Sequence, residues 1–163
     1  MGQEIERKYL IDHSKFQATN KPEGKLYRQG YLLLDPEKTI RVRATPTQGF
    51  ITIKGITTGA TRAEYEYEIP LTEALELLDK FAISELSKTR YVIDYKGYKW
   101  EVDVFHGDSE GLIIAEIELA SEDTTYDLPG WITDEVTSDQ RYYNSNLTTH
   151  PYKDWASSQN NQS

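Results

Sequence analysis

The segment RAEYEYEI alternates charge and hydrophobe without a break. Arg62, Glu64, Glu66 and Glu68 fall on one parity, Tyr65, Tyr67 and Ile69 on the other. Successive side chains of a β-strand point to opposite faces, so a period of two specifies a strand rather than a helix. The same alternation recurs along the chain. It groups Glu4, Glu6 and Lys8 in EIERKYL, Arg41 and Arg43 in TIRVRAT, and Thr52 and Lys54 in FITIKG. It also groups Lys88 and Arg90 in SKTRYVI, Glu101 and Asp103 in WEVDVF, and Glu116 and Glu118 in LIIAEIEL. A chain built this way must cover many apolar strand faces and gather many charged ones.

Candidate strands span residues 3–11, 24–34, 39–45, 50–54, 62–69, 85–95, 98–105 and 112–120. Pro and Gly in DPEK and ATPTQGF mark turns, and DYKGYKW reads as a hairpin tip. One helix follows in PLTEALELLDKFA, with Thr72 as its N-cap and Leu75, Leu78 and Phe81 at helical spacing. A weaker helix is expected over 139–147, and Asp12 with Ser14 reads as a turn. The fold class is therefore α+β, mainly β: an eight-stranded antiparallel sheet closed into a barrel, with a few helices packed outside. A two-sheet sandwich is the structural rival.

The 163 residues suit one domain with a sizeable core. Residues 1–150 are expected to form it, with 151–163 a polar tail in which Tyr152 and Trp155 are candidates for docking. The net charge of −9 argues against a nucleic-acid partner, whose footprint is basic. With no cysteine there is neither disulfide nor thiolate metal site. Without an apolar leader or membrane-length apolar run, the expectation is a soluble, cytoplasmic protein with no membrane partner. His13, His106 and His150 sit near loop signals without metal-ligand spacing, and there is no Gly-rich phosphate loop. The oligomeric state is left open, a homodimer included.

One wet face of an antiparallel sheet explains alternation by itself. It does not explain repeated like-sign doublets, because adjacent like charges destabilise a solvated sheet. Doublets of both signs fit a surface that holds a ligand of both signs, such as a metal–polyphosphate complex. Hard divalent cations take oxygen ligands, and phosphate oxygens take Arg and Lys donors. The acidic and basic members of the set nearly cancel. About two divalent ions and a polyphosphate of roughly four to five negative charges leave the site close to neutral.

The ordered set resembles the CYTH superfamily, the triphosphate tunnel metalloenzymes. The E-x-E-x-K signature matches Glu4, Glu6 and Lys8. R-x-R follows at Arg41 and Arg43, T-x-K at Thr52 and Lys54, E-x-E at Glu64 and Glu66, and K-x-R at Lys88 and Arg90. An acidic match at Asp103 and a last E-x-E at Glu116 and Glu118 complete it, over about residues 3 to 142. The resemblance implies an eight-stranded tunnel that binds a small-molecule triphosphate and uses Mg²⁺ or Mn²⁺. Family members hydrolyse inorganic triphosphate, thiamine triphosphate or RNA 5′-triphosphate ends, or make cyclic AMP from ATP. The compact chain with EIERKYLI and YRQGYLL is similar to the short bacterial inorganic triphosphatases. On that likeness Glu4, Glu6 and Glu118 hold one metal, and Asp103, Glu116 and Glu64 or Glu66 a second. Arg41, Arg43, Lys54, Lys88 and Arg90 clamp phosphates, while Lys8, beside Tyr31, orients or deprotonates the water. Arg141 in SDQRYYN is an extra phosphate contact or a solvated arginine. Tyr31 is the partner of Lys8 or a packing aromatic. Adenylyl cyclase and a non-enzymatic polyphosphate-binding module are the rival functions.

Overall fold

Each alternating segment becomes a strand in the computed structural model, which describes residues 2–160. The barrel strands are β1 (Gln3–Ile11), β2 (Lys25–Asp35), β3 (Lys38–Ala44) and β4 (Gly49–Gly55). They continue with β5 (Thr61–Ile69), β6 (Ser84–Tyr95), β7 (Tyr98–Phe105) and β8 (Ile113–Glu118). Neighbours run β5-β4-β3-β2-β6-β7-β8-β1, all antiparallel. β1 then returns to β5, setting Gln3 opposite Ala63, Glu4 opposite Arg62 and Ile5 opposite Thr61. That short ladder closes the barrel and removes the sandwich alternative. A ninth strand, β9 (Ile132–Glu135), continues along the edge of β1 that β5 leaves free, with Tyr9 opposite Glu135 and Ile11 opposite Ile132.

The charged parity points inward and the apolar parity outward. One outer cluster gathers Tyr9, Trp100, Val102, Ala115 and Ile117. It is covered by Phe16 of α1 (His13–Ala18) and by Trp131, whose rings meet edge to face at 5.6 Å. A second outer cluster packs Val42 and Ala44 under Ala74 and Leu78 of α2 (Leu71–Phe81). These are the helical covers that an apolar barrel exterior requires.

A third cluster lies on the inner parity, where Leu10, Leu86, Phe105 and Ile114 sit two residues beyond Lys8, Lys88, Asp103 and Glu116. The inner wall thus changes from charged to apolar along its own strands. Tyr142, in a 3₁₀ turn (Gln140–Tyr142), and Leu147, in α3 (Asn144–Leu147), seat on this floor and close that end. Trp155 of α4 (Tyr152–Asn160) packs on Tyr142, with centroids 5.2 Å apart.

Four local expectations change. Pro70, not Thr72, occupies the N-cap of α2, whose first helical bond runs from Ala74 N–H to the Pro70 carbonyl. Asp12 and Ser14 do not form a mere turn: the Asp12 carboxylate accepts from the Lys15 amide at 3.0 Å and caps α1. Tyr143, extended at φ −70° and ψ 134°, breaks the helix expected over 139–147. β9 was not expected at all. No helix among the described residues is long and apolar enough to cross a membrane.

Candidate active site

Strand order sorts the doublets into two halves of one wall. The neighbours β4, β3 and β6, with β2 between the last two, bring Lys54, Arg41, Arg43, Lys88 and Arg90 together. The other four strands, β7, β8, β1 and β5, bring Glu101, Asp103, Glu116, Glu118, Glu4, Glu6, Glu64 and Glu66. Lys8 and Arg62 are the cations of the acidic half. The halves face each other across a cavity of about 140 Å³. Among the described residues Tyr31 is the one aromatic in its lining, and no aliphatic residue contributes.

Opposite charges meet across this space. Lys54 Nζ lies 3.2 Å from both Glu4 oxygens and 3.3 Å from Glu64. Arg62 Nε donates to Glu4 at 3.2 Å, and Lys8 Nζ to Glu6 at 2.9 Å and Glu116 at 3.1 Å. Arg41 donates to Thr52 at 3.1 Å and Glu66 at 3.3 Å, yet its buried Nε has no partner. Arg43 gives only its Nε, to Gln29 at 3.2 Å; its terminal nitrogens make no hydrogen bond among the described residues. The ion pairing removes much, but not all, of the like-charge repulsion.

The remaining imbalance shows in proton affinities. Burial favours protonation of Glu6, but Lys8 and Lys54 outweigh it and hold the carboxyl at about 2. Glu118, at the solvent-open side, is pushed up to about 7 by partial burial and by Glu4, Glu64, Glu101 and Glu6. Burial, with Arg41 and Arg90, lowers Arg43 to about 10. Burial also lowers Lys88, because Asp103 is shared with Arg90 and Arg43 stands nearby.

The cavity gathers Glu4, Glu6, Lys8, Tyr31, Arg41, Arg43, Lys54, Glu64, Glu66, Lys88, Arg90, Glu116 and Glu118. Three sequence expectations meet a different geometry. Asp103 is fully buried and does not line the cavity. Arg90 grips its two oxygens at 2.7 and 2.9 Å, and Lys88 approaches at 2.8 Å, so both oxygens already face cationic donors. Arg141 is exposed, pairs with Asp139 at 2.6 Å and lies outside the lining. Lys8 and Tyr31 share the cavity but no hydrogen bond joins them among the described residues; the Tyr31 hydroxyl meets Gln29 at 3.4 Å. Against the opposing effect of burial, Glu116 and Glu6 raise the Lys8 pKa.

Arg62, Glu101 and Asn144 line the cavity without having been singled out as site residues. Arg62 and Glu101 carried the signal already, since each shares the parity of a recognised doublet. Asn144, the last residue of SDQRYYN, had no strand parity to mark it: it reaches the tunnel from α3, where its Oδ1 accepts from Lys88 at 2.7 Å and Gln29 at 3.2 Å.

Glu4, Glu6, Glu64 and Glu118 supply hard oxygen donors, and the high Glu118 pKa marks a local shortage of positive charge. No ready-made cage of three acidic side chains exists among the described residues. Mg²⁺ needs none, because it keeps waters, shares phosphate oxygens and takes one or two carboxylates. The donor set therefore fits a divalent ion that arrives with phosphate.

Residues 2–151 match the CYTH domain. The chain is 47% identical over 156 residues to an inorganic triphosphatase of Acetivibrio thermocellus, spanning 95% of this chain and 99% of that protein. It is 37% identical over 152 residues to an inorganic triphosphatase of Nitrosomonas europaea, spanning 88% and 95%. A crystal structure of an inorganic triphosphatase aligns with a TM-score of 0.60 at 34% identity, covering 89% of this chain and 93% of that one. The ordered doublets, the barrel that turns them inward and a match over nearly the full length agree: this chain belongs to the CYTH domain family.

Proposed function

We propose that this protein hydrolyses inorganic triphosphate to pyrophosphate and phosphate, with Mg²⁺ or Mn²⁺ as the metal. The observation that carries the proposal is the divided wall, which sets five cations against a row of carboxylates around one small polar cavity. Its relatives' activity supports the same reading. A lining with no aliphatic side chain among the described residues, and with Tyr31 as its one aromatic, offers a purine or thiazole ring little apolar surface, which favours the bare inorganic chain over a nucleotide.

Phosphoryl transfer asks a protein chiefly for positioning and charge stabilisation. Arg43, with unengaged terminal nitrogens, and Arg41, with an orphaned Nε, supply the readiest donors. Lys88, whose Nζ lies 5.7 Å from the Phe105 ring of the apolar floor, receives the end of the chain that enters first. Lys54 and Arg90 complete the clamp and stabilise charge on the transferring group. Asp103 keeps Arg90 and Lys88 aimed, and Lys8 keeps Glu6 and Glu116 in place. Glu4, Glu6, Glu64 and Glu118 would hold the metal. A bound divalent ion supplies Lewis acidity toward phosphate oxygens and lowers the pKa of its water. A water molecule attacking the terminal phosphorus forms a new P–O bond as the bridging P–O bond breaks, releasing phosphate and pyrophosphate, and the proton of the water passes to solvent.

The test is phosphate release from inorganic triphosphate, thiamine triphosphate and ATP, with Mg²⁺, with Mn²⁺ and in excess chelator. Metal-dependent release, greatest from inorganic triphosphate, is expected. Cyclic AMP from ATP would establish a cyclase instead. Metal-dependent binding of triphosphate without release would establish a binding module.

A further inference from the structure

β2 lies between the two basic strands β3 and β6, and its inner parity carries Tyr27, Gln29 and Tyr31. Tyr31 lines the cavity, whereas Tyr27 does not. Instead its ring takes a guanidinium from each neighbouring strand. The Arg43 Cζ lies 4.9 Å from the ring centroid and the Arg90 Cζ 5.2 Å. The phenol oxygen makes no hydrogen bond among the described residues, so the ring is what the two arginines use.

The two guanidinia are held unequally. Three carboxylate contacts, two to Asp103 and one to Glu101 at 3.0 Å, fix Arg90. Arg43 has one bond, from Nε to the neutral Gln29, and no carboxylate partner among the described residues. It is half-buried beside Arg41 and Arg90, both of which repel it. Asp103 opposes that repulsion without bonding to Arg43, and the electron-rich face of Tyr27 opposes it in contact while leaving both terminal nitrogens unspent. A carboxylate in the same place would neutralise Arg43 and occupy the donors that phosphate needs.

We propose that Tyr27 is a positioning residue for triphosphate: its ring braces Arg43 against Arg90 and keeps the terminal donors of Arg43 turned to the substrate. The inference rests on the triphosphatase reading and names a residue that acts through Arg43 without touching the ligand.

The test uses steady-state hydrolysis of inorganic triphosphate with Mg²⁺ and calorimetric binding of inorganic triphosphate without metal. Tyr27→Phe keeps the ring and should keep KM. Tyr27→Leu should raise KM roughly five- to thirtyfold, the range of one desolvated cation–π contact, with a smaller change in kcat. In an Arg43→Ala background the same Leu substitution should add little, because its effect passes through Arg43. Pentafluorophenylalanine at position 27 keeps the ring's shape and reverses its electrostatic face, so it should reproduce the KM defect even where Leu compromises folding. Normal KM in the Leu or pentafluorophenylalanine protein, or full additivity with Arg43→Ala, overturns the brace. If Arg43→Ala itself leaves both affinity and KM unchanged, the tunnel reading fails as well. A defect in Arg43→Ala alone leaves that reading intact and removes only Tyr27.

Discussion

At the scale of single residues, Asp103 shows how far parity and chemistry can diverge. Its position in WEVDVF marks it as an inward acid, and the resemblance makes it a metal ligand. Arg90 and Lys88 instead consume its carboxylate. Burial raises its pKa, Arg90 and Lys88 lower it more, and the balance is about 2. Asp103→Asn should therefore act mainly on folding, leaving two buried cations without their anion. Removing one partner of a buried pair costs about 3–5 kcal/mol, to be read from denaturant midpoints at pH 7. The pH dependence has a definite sign. The folded pKa lies below the unfolded value of about 3.9, so the pair contributes fully above about pH 4. That contribution is lost as pH falls toward 2, and the gap between wild type and variant should narrow over the same interval. Equal midpoints at pH 7 would mean that the Arg90–Asp103–Lys88 cluster adds no stability.

At the scale of elements, the floor of the tunnel links packing to ligand binding. α3 is only four residues long, and a helix that short does not hold itself. Leu147, buried with Phe105 and Ile114, anchors it and so fixes Asn144 beside Lys88. Leu147→Ala should cost about 2–5 kcal/mol and also weaken triphosphate affinity, although Leu147 faces no ligand. A lost midpoint with unchanged affinity would show that Asn144 is placed by other contacts. The eight barrel strands were legible because each repeats a period of two over several residues. β9 was not: ITDE has four residues and is held by its pairing with the edge of β1. α1 was hidden for a related reason, since its single buried residue, Phe16, gives no periodicity. Within the site, parity exposed Arg62 and Glu101. It had no bearing on Asn144, which a turn delivers from outside the sheet, or on the separation of Lys8 from Tyr31. Arg141 was ambiguous for the same reason: SDQRYYN forms a 3₁₀ turn, where strand parity says nothing.

At the scale of the whole molecule, the doublets alone suggest an empty tunnel in strong self-repulsion, but the ion pairs across it temper this. Metal alone must compete with Lys54 and Arg62 for Glu4, and with Lys8 for Glu6. Triphosphate alone must draw the same cations away from those carboxylates. Together they satisfy both halves, so thermal stabilisation should exceed the sum of the separate shifts. At a hundredfold excess over Kd the gain is about 2.7 kcal/mol, roughly 5–11 °C for a chain of this size. Melts with Mg²⁺, with a slowly hydrolysed triphosphate analogue and with both measure it; additive shifts would mean that the two halves do not share one ligand. The closure of the barrel has a consequence in time as well as in space. β1 precedes the other strands, yet its ladders run to β5, β8 and β9, the last of which ends at Glu135. Such distant pairings are slow to form because the chain between them must first be ordered. Glu4, Glu6 and Lys8 therefore wait for most of the other strands, and the strand proposed to hold the metal is also the keystone. In refolding, enzymatic competence should return with the slowest phase, after most of the sheet has formed.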